Sequence, residues 1–162
     1  MNLILIIILK ESLKYYEEYN YELICYCLMT NHIHLLVCAN EKETEDLIKR
    51  THSIYSRYFN KKYNYVGHLW QDKYFSELIE NDAQMLETSR YIHLNPVKAK
   101  MVEEAKDYKW SSYSMFIGLE SEKIIKSQNI LAYFRNLNCR ELYKRFVENE
   151  MEIKNKKGND II

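Results

Sequence analysis

Two histidines, His32 and His34, stand one residue apart in the apolar run "MTNHIHLLVCA" (residues 29–39). Successive side chains of a β-strand point to opposite faces, so these two imidazoles would share one face about 7 Å apart. Imidazoles placed in this way can converge on one divalent ion. Spacing alone does not establish a metal site, because such pairs are more often ordinary strand histidines and no carboxylate stands nearby as a third ligand.

A second group of polar residues occupies one stripe of a predicted helix: Gln84, Glu87, Tyr91 and Asn95. The stripe lies opposite the apolar residues of that helix, so Tyr91 should face away from the core. A tyrosine and an amide one turn apart could present a nucleophilic hydroxyl and an oxygen ligand to one site, with Glu87 orienting or deprotonating the hydroxyl. The alternative is that Tyr91 is simply one of many amphipathic tyrosines and Asn95 caps the helix.

The segment from residue 49 to residue 76 carries six basic residues and one acid, interleaved with aromatic residues. This composition suits a single-stranded nucleic acid, because cations pair with phosphates and rings stack on bases. The alternative is a solvated face above an aromatic core. The formal net charge of the whole chain is zero, so only this local cluster indicates a polyanionic partner.

Composition predicts an ordinary globular protein of one domain, long enough at 162 residues to bury a core. None of the four cysteines forms a CxxC pair, which argues against a structural zinc site and against a disulfide framework. The apolar run from Leu3 to Leu9 is much shorter than the roughly 20 residues that span a bilayer. It also lacks the features of a secretory signal, so we expect a cytoplasmic protein without membrane contact.

The sequence predicts a helix, two strands and then further helices. Helical periodicity over residues 4–19 predicts a first helix, although the β-branched run Ile6–Ile8 favours a strand. Residues 21–29 and 32–39 read as two strands joined by a turn at Thr30 and Asn31. A helix over 42–63 follows, then an extended segment from Gly67 to residue 79.

A second long helix should start at Asn81 or Asp82, both of which are good N-caps. It should end at Asn95, because the residue before a proline disfavours helical geometry. We expect a short helical turn over 97–101, a loop over 110–113 and one or two helices between 121 and 150. The predicted fold class is therefore α+β.

Four segments in this order resemble the single-tyrosine HUH transposases, a group that includes the REP-associated tyrosine transposases and related insertion-sequence transposases. They are "YCLMTNHIHLLV", "GHLWQDKYFS", "RYIHLNPVKAKMV" and "YKWSSY", and the resemblance spans residues 21–118. HUH denotes His-hydrophobic-His. The resemblance implies an antiparallel β-sheet flanked by helices, a ferredoxin-like or RRM-like core with the HUH strand at its centre. Residues 1–118 would form the catalytic domain, and residues 119–162 a C-terminal helical extension of it.

By position, the resemblance makes His32 and His34 the HUH ligands, Tyr91 the catalytic nucleophile and Asn95 a third metal ligand. The implied enzyme is a transposase that cleaves and rejoins single-stranded DNA through a 5′-phosphotyrosine intermediate. The implied cofactor is Mg²⁺ or Mn²⁺, although a two-imidazole site also admits Ni²⁺ or Zn²⁺.

The implied partner is single-stranded or hairpin DNA, and the basic segment becomes its predicted binding surface. The phosphate contacts would be Arg57, Lys61, Lys62 and Lys73, and His68 would contact a base. Relatives with monomeric and dimeric arrangements exist, so a homodimer is compatible with the resemblance.

The start of the chain departs from the family pattern, which places an additional strand before the first helix. Either Leu3 to Leu9 replaces this strand, or the sheet lacks it, in which case activity could be impaired. A non-catalytic remnant that only binds single-stranded nucleic acid is therefore the main alternative. A third is a phosphodiesterase that uses water, with Tyr91 structural.

Overall fold

The computed structural model describes residues 6–9, 12, 21–39, 44–70, 74–134 and 137–159. The chain divides into two compact units. The α1 unit, named after the helix α1 (Glu45–Tyr63), comprises residues 1–22 and 37–78, and the hairpin unit comprises residues 23–36 and 79–162.

Two strands, β1 (Glu22–Leu28) and β2 (Ile33–Cys38), pair as an antiparallel hairpin. The bend at Thr30 and Asn31 is closed by a hydrogen bond from the Met29 amide to the His32 carbonyl, 2.9 Å long. Both strands and their turn therefore lie where the sequence predicts them.

The strand β1 has hydrogen-bond partners on both edges. Its Tyr26 carbonyl accepts from the Ser112 amide (3.0 Å), and its Leu28 amide donates to the Trp110 carbonyl (2.9 Å). Six of its seven residues are buried, as expected for a strand covered on both faces. The antiparallel strands and the helices around them confirm the predicted α+β class, and the central position of the HUH strand stays a prediction.

The helix α2 (Asp82–Lys98) begins as predicted, because the Asn81 side chain accepts a hydrogen bond from the Gln84 amide (2.9 Å). The predicted end at Asn95 is wrong, since the helix continues through Pro96 to Lys98. Pro96 is buried within the last turn, and packing there outweighs the local preference against a helix before proline. Residues 97 and 98 consequently belong to α2 rather than to a separate turn.

The remainder of the hairpin unit consists of short elements and one long helix. A 3₁₀ turn (Ala105–Asp107) leads to α3 (Tyr113–Phe116), so the predicted loop at 110–113 gives way to a helix at its last residue. The helices α4 (Gln128–Leu131) and α5 (Cys139–Asn159) confirm the prediction of C-terminal helices. Tyr143 and Val147 of α5 are fully buried, so this helix contributes directly to the core.

In the α1 unit, the helix α1 (Glu45–Tyr63) confirms the predicted helix over 42–63, of which residues 42 and 43 lie outside the described residues. Its buried face consists of Leu47, Thr51 and Tyr55, and it ends where Asn64 adopts a left-handed conformation, with φ of 52°. Residues 65–70 and 74–80 form neither helix nor strand, with bends at residues 67 and 69, so the extended conformation of this segment stays a prediction.

Residues 6–9 and 12 are helical. The hypothesis that the apolar run from Leu3 to Leu9 replaces the first strand of the family is therefore wrong for residues 6–9. These residues belong to the first helix predicted over residues 4–19. The other residues of that predicted helix lie outside the described part of the chain.

All four cysteines are thiols. Cys25 and Cys27 are buried in β1, and burial raises the pKa of both, that of Cys27 to about 12. Cys38 and Cys139 are partly exposed. No helix in the described part of the chain is long and apolar enough to cross a membrane.

Candidate active site

The hairpin brings the two HUH imidazoles into direct contact. His32 immediately precedes β2 and His34 is its second residue, so their side chains share a face. Their Nε2 atoms are 3.0 Å apart, and their rings meet edge to face with centroids 4.7 Å apart. Two Nε2–H groups could not approach so closely, so this geometry requires that one nitrogen offers its lone pair.

Asn31 determines which His32 nitrogen offers the lone pair. Its Oδ1 lies 2.7 Å from His32 Nδ1, and because a carbonyl oxygen only accepts, Nδ1 carries the proton. Neutral His32 then presents an unprotonated Nε2 toward His34. Fixing a ligand histidine from behind in this way is typical of metal sites, where the second nitrogen donates to an oxygen.

His34 is kept neutral by its surroundings. Burial lowers the pKa of this half-buried imidazole, and the nearby His32 lowers it further. Protonation therefore requires a more acidic solution than it would for an exposed histidine, so His34 retains a lone pair near neutral pH.

Tyr91 of α2 lies against this imidazole pair. Its ring meets the ring of His34 edge to face, with centroids 5.6 Å apart and an interplanar angle of 84°. The side chain is 47% exposed, which agrees with the predicted polar stripe. The structure therefore brings together three residues that lie up to 59 positions apart, and it leaves the phenol accessible to a ligand from solution.

Two further α2 residues contact Tyr91. The Asn95 side chain donates from Nδ2 to the Tyr91 carbonyl (2.9 Å), so its amide is held one turn beyond the phenol. The Nζ atom of Lys98 lies 4.8 Å from the centroid of the Tyr91 ring. Glu87, also on this stripe, forms an ion pair with Arg90 instead of a contact with the phenol.

The Nε2 atoms of His32 and His34 lie 3.0 Å apart, close enough for one divalent ion to bind both imidazoles. Among the described residues, no cluster of three His, Cys, Asp or Glu side chains could hold a metal, so a third ligand must be of another type. Asn95 suits this role, because its nitrogen is used within the helix and its oxygen is the end that a metal would take.

Most of the predicted DNA contacts lie in the α1 unit. Arg57, Lys61, Lys62 and His68 are exposed, whereas Lys73 lies outside the described residues. Lys62 donates to the Tyr58 hydroxyl (2.8 Å), and its Nζ lies 5.4 Å from the ring centroids of Tyr58 and Tyr63. The exposed surface at the end of α1 thus combines cations with rings.

Trp70 has a structural role within the α1 unit. It stacks on His52 at 3.8 Å between centroids and donates from Nε1 to the His52 carbonyl.

Sequence reasoning missed three residues around the site: Asn31, Lys98 and His93. Lys98 lies seven positions after Tyr91, so extending the polar stripe by one turn would have found it. His93 lies four positions after Ser89 on the buried face of α2, and this spacing of polar residues was its only sequence signal. Asn31 was assigned only to a turn, and its contact with His32 depends on how that turn folds.

Comparisons with known proteins identify a family and a relative with similar sequences. The model of the family described as "Transposase IS200 like" matches residues 8–95, which include the imidazole pair, Tyr91 and Asn95. A protein of Haemophilus influenzae (strain ATCC 51907 / DSM 11121 / KW20 / Rd) named "Putative REP-associated tyrosine transposase" is 33% identical over 109 residues. This match covers 60% of the present chain and 61% of that protein. No solved structure matches the chain significantly.

The chain therefore belongs to the IS200-like transposase family, as the sequence motifs predict. It spans about three fifths of the length of the curated relative that it matches.

Proposed function

We propose that this chain is a transposase that cleaves and rejoins single-stranded DNA, with Tyr91 as its nucleophile. The observation that carries the proposal is the contact between the Tyr91 and His34 rings, beside two imidazole nitrogens 3.0 Å apart. A nucleophilic hydroxyl next to a candidate metal site is the arrangement that phosphoryl transfer requires.

The proposed step exchanges one phosphoester bond for another. The Tyr91 Oη attacks phosphorus, an O–P bond forms, and the bond from phosphorus to the 3′ oxygen breaks. The phenol proton leaves to water, which reaches this half-exposed side chain, and the departing 3′ oxygen takes up a proton. The product is a 5′-phosphotyrosine. When the 3′-hydroxyl of another strand attacks it, a new phosphodiester bond forms and the Tyr91 hydroxyl is released. Because the number of phosphoester bonds is conserved, no nucleotide triphosphate is consumed.

His32, His34 and Asn95 would hold a divalent cation, Mg²⁺ or Mn²⁺, through two Nε2 atoms and the amide oxygen. When bound, the cation supplies positive charge that polarises the phosphate and offsets the charge of the transition state. Asn31 accepts from the His32 Nδ1–H and thereby orients the Nε2 edge of that ring, and burial lowers the pKa of His34, which favours its neutral form.

Lys98 would assist Tyr91 electrostatically. A tyrosine hydroxyl is a weak nucleophile in water, where the phenol pKa is near 10. The Lys98 ammonium lies over the Tyr91 ring, so it favours the negative charge that develops on the phenol during attack. At an exposed position, such an interaction contributes about 0.5–1 kcal/mol.

Single-stranded DNA is the substrate that we infer for the exposed cations and rings of the α1 unit. Arg57, Lys61 and Lys62 would pair with phosphates, while Tyr63 and Tyr65, each close to half exposed, offer stacking surface for bases. Hairpin DNA is included because it combines a folded stem with single-stranded flanks.

The test is covalent capture on end-labelled hairpin DNA with randomised single-stranded flanks. The protein is incubated with Mn²⁺ or Mg²⁺ and resolved on a denaturing gel. Tyr133→Phe is the matched control, because Tyr133 is a similarly exposed tyrosine (42%) of the same unit whose hydroxyl donates to Asp82. We expect a protein–DNA adduct from the wild type and from Tyr133→Phe, and none from Tyr91→Phe.

The other outcomes identify the alternatives. DNA binding without any adduct would indicate a non-catalytic binding module. Cleavage that survives Tyr91→Phe would indicate a hydrolase that uses water.

A further inference from the structure

A fully buried histidine, His93, lies two positions after Tyr91 on α2. Two positions correspond to about 200° around a helix, so His93 points to the side opposite Tyr91, into the hairpin unit. Its two ring nitrogens each have a partner on a different element: Ser112 Oγ at 2.9 Å from Nε2, and the Tyr143 hydroxyl at 2.7 Å from Nδ1. The proposed chemistry uses none of these groups.

On the Nε2 side, the contacts lead to the hairpin. Ser112 Oγ accepts a hydrogen bond from the Tyr26 amide of β1 (2.9 Å), and the Ser112 amide donates to the Tyr26 carbonyl (3.0 Å). Ser112 belongs to the "YKWSSY" segment, so that segment connects α2 to the strand that pairs with β2. The strand β2 carries His34.

On the Nδ1 side, the contacts return to α2 through α5. The Tyr143 hydroxyl of α5 donates to Ser89 Oγ (3.1 Å), and Ser89 donates to the Leu86 carbonyl (2.7 Å). Tyr143, Ser89 and His93 are all fully buried. The C-terminal helix α5 thus fixes α2 at two positions one turn apart.

Counting donors assigns one direction to the Nδ1 side of this chain of hydrogen bonds. Each hydroxyl has a single proton, and the Ser89 and Tyr143 protons go to Leu86 and Ser89, so Tyr143 must accept from His93 Nδ1–H. The Ser112 hydroxyl lies 2.9 Å from His93 Nε2 and 3.2 Å from the Tyr26 carbonyl, so its single proton can go to either acceptor. Each of the four side chains has a hydrogen-bond partner on another segment, which favours a rigid connection.

We propose that His93 is a positioning residue that holds the Tyr91 helix in register with the hairpin, through Ser112 on one side and Tyr143 on the other. The inference rests on the proposed function of Tyr91. It assigns a role to the "YKWSSY" segment and to α5, which hold the nucleophile at its distance from the imidazole pair. Displacing a reacting group by about 1 Å can cost about 100-fold in rate, so such a connection would matter for turnover.

The experiment compares two phenylalanine substitutions that each remove one buried tyrosine hydroxyl. Tyr143→Phe breaks the connection to His93. Tyr113→Phe is the matched control, because the hydroxyl of the fully buried Tyr113 bonds Glu148 of α5 (3.2 Å) and has no bond to α2. Ser112→Ala breaks the connection from its other end and serves if Tyr143→Phe does not fold. Measured quantities are the adduct rate at saturating DNA, the Kd for DNA, the Kd for Mn²⁺ and amide hydrogen exchange of residues 82–98.

Tyr143→Phe or Ser112→Ala should slow adduct formation about tenfold or more, with both Kd values within about twofold of the wild type. Tyr113→Phe should stay close to the wild-type rate. Equal rates in all variants, or an equal loss in Tyr113→Phe and Tyr143→Phe, would overturn the inference, because a general packing defect affects both alike.

Failure of the proposed function is recognised separately. If the wild type forms no adduct, Tyr91 is not a nucleophile under these conditions. Hydrogen exchange measured without DNA or metal then tests whether His93 positions α2. Faster exchange of α2 amides in Tyr143→Phe alone supports the positioning connection, whereas equal exchange in both variants contradicts it.

Discussion

Lowering the pH from 7 to 5 should destabilise the folded chain through His93. Burial holds the pKa of this imidazole at about 3, compared with about 6.5 for a histidine in an unfolded chain. Above pH 6.5 the ring is neutral in both states and has no effect on the pH dependence. Below pH 6.5 the unfolded chain binds a proton that the folded chain does not, so stability falls until the pH reaches about 3.

The size of this effect follows from the difference in bound protons. One proton changes the free energy of unfolding by about 1.36 kcal/mol for each pH unit over which it is bound by the unfolded state alone. Integrated from pH 7 to pH 5, His93 should remove about 2 kcal/mol. This loss depends on the pKa of the unfolded chain and hardly on the folded value, provided that the folded value stays below about 4. It is a large share of the roughly 5–15 kcal/mol that stabilises a typical protein.

Urea unfolding at pH 7, 6 and 5 measures this contribution in the wild type and in His93→Gln, whose amide gains no proton. The wild type should lose about 2 kcal/mol more than the variant between pH 7 and pH 5. Burial also lowers the pKa of His34 and His52, but both histidines are present in the wild type and in the variant, so their contributions cancel in the comparison. Equal slopes in the wild type and His93→Gln would refute the reasoning.

Three further predictions concern the site and the DNA surface. Asn31→Ala should weaken Mn²⁺ binding about tenfold or more in calorimetry, because His32 loses the acceptor that orients its ring. Asn31→Asp keeps an acceptor and should bind Mn²⁺ with nearly the wild-type affinity. Equal affinities in all three proteins would exclude an orienting role for Asn31. Lys98→Met keeps the apolar stem but not the charge, and should slow adduct formation about two- to fivefold; an unchanged rate would contradict it. Replacing both Lys61 and Lys62 by Ala should reduce the slope of log Kd for DNA against log salt by about 1.4 in filter binding, because two phosphate contacts are lost. An unchanged slope would show that neither lysine contacts the DNA.

Local patterns in the sequence were sufficient for the hairpin and for the polar face of α2. The His32–His34 pair follows from the two-residue period of a strand, and the exposure of Tyr91 follows from the helical period. The family motifs then identified which of these polar residues to join into one site. In the structure, His34 contacts both His32 and Tyr91.

Features that depend on distant residues could not be predicted in this way. The second edge of β1 is closed by Ser112, which is 86 positions from its partner Tyr26, and no local pattern specifies that pairing. The helix α2 passes through Pro96 because the proline is buried, which is a tertiary effect that overrides a local rule. His93 looks like any helical histidine until Ser112 and Tyr143 are placed around it.

The distribution of cysteines has a practical consequence for spectroscopy. Cys25 and Cys27 are buried, and their raised pKa values keep them protonated, so they should resist alkylation. The partly exposed Cys38 and Cys139 belong to the α1 unit and the hairpin unit, respectively. Maleimide fluorophores should therefore label each unit once without any engineered cysteine. The emission of each dye could then follow its own unit as DNA is added.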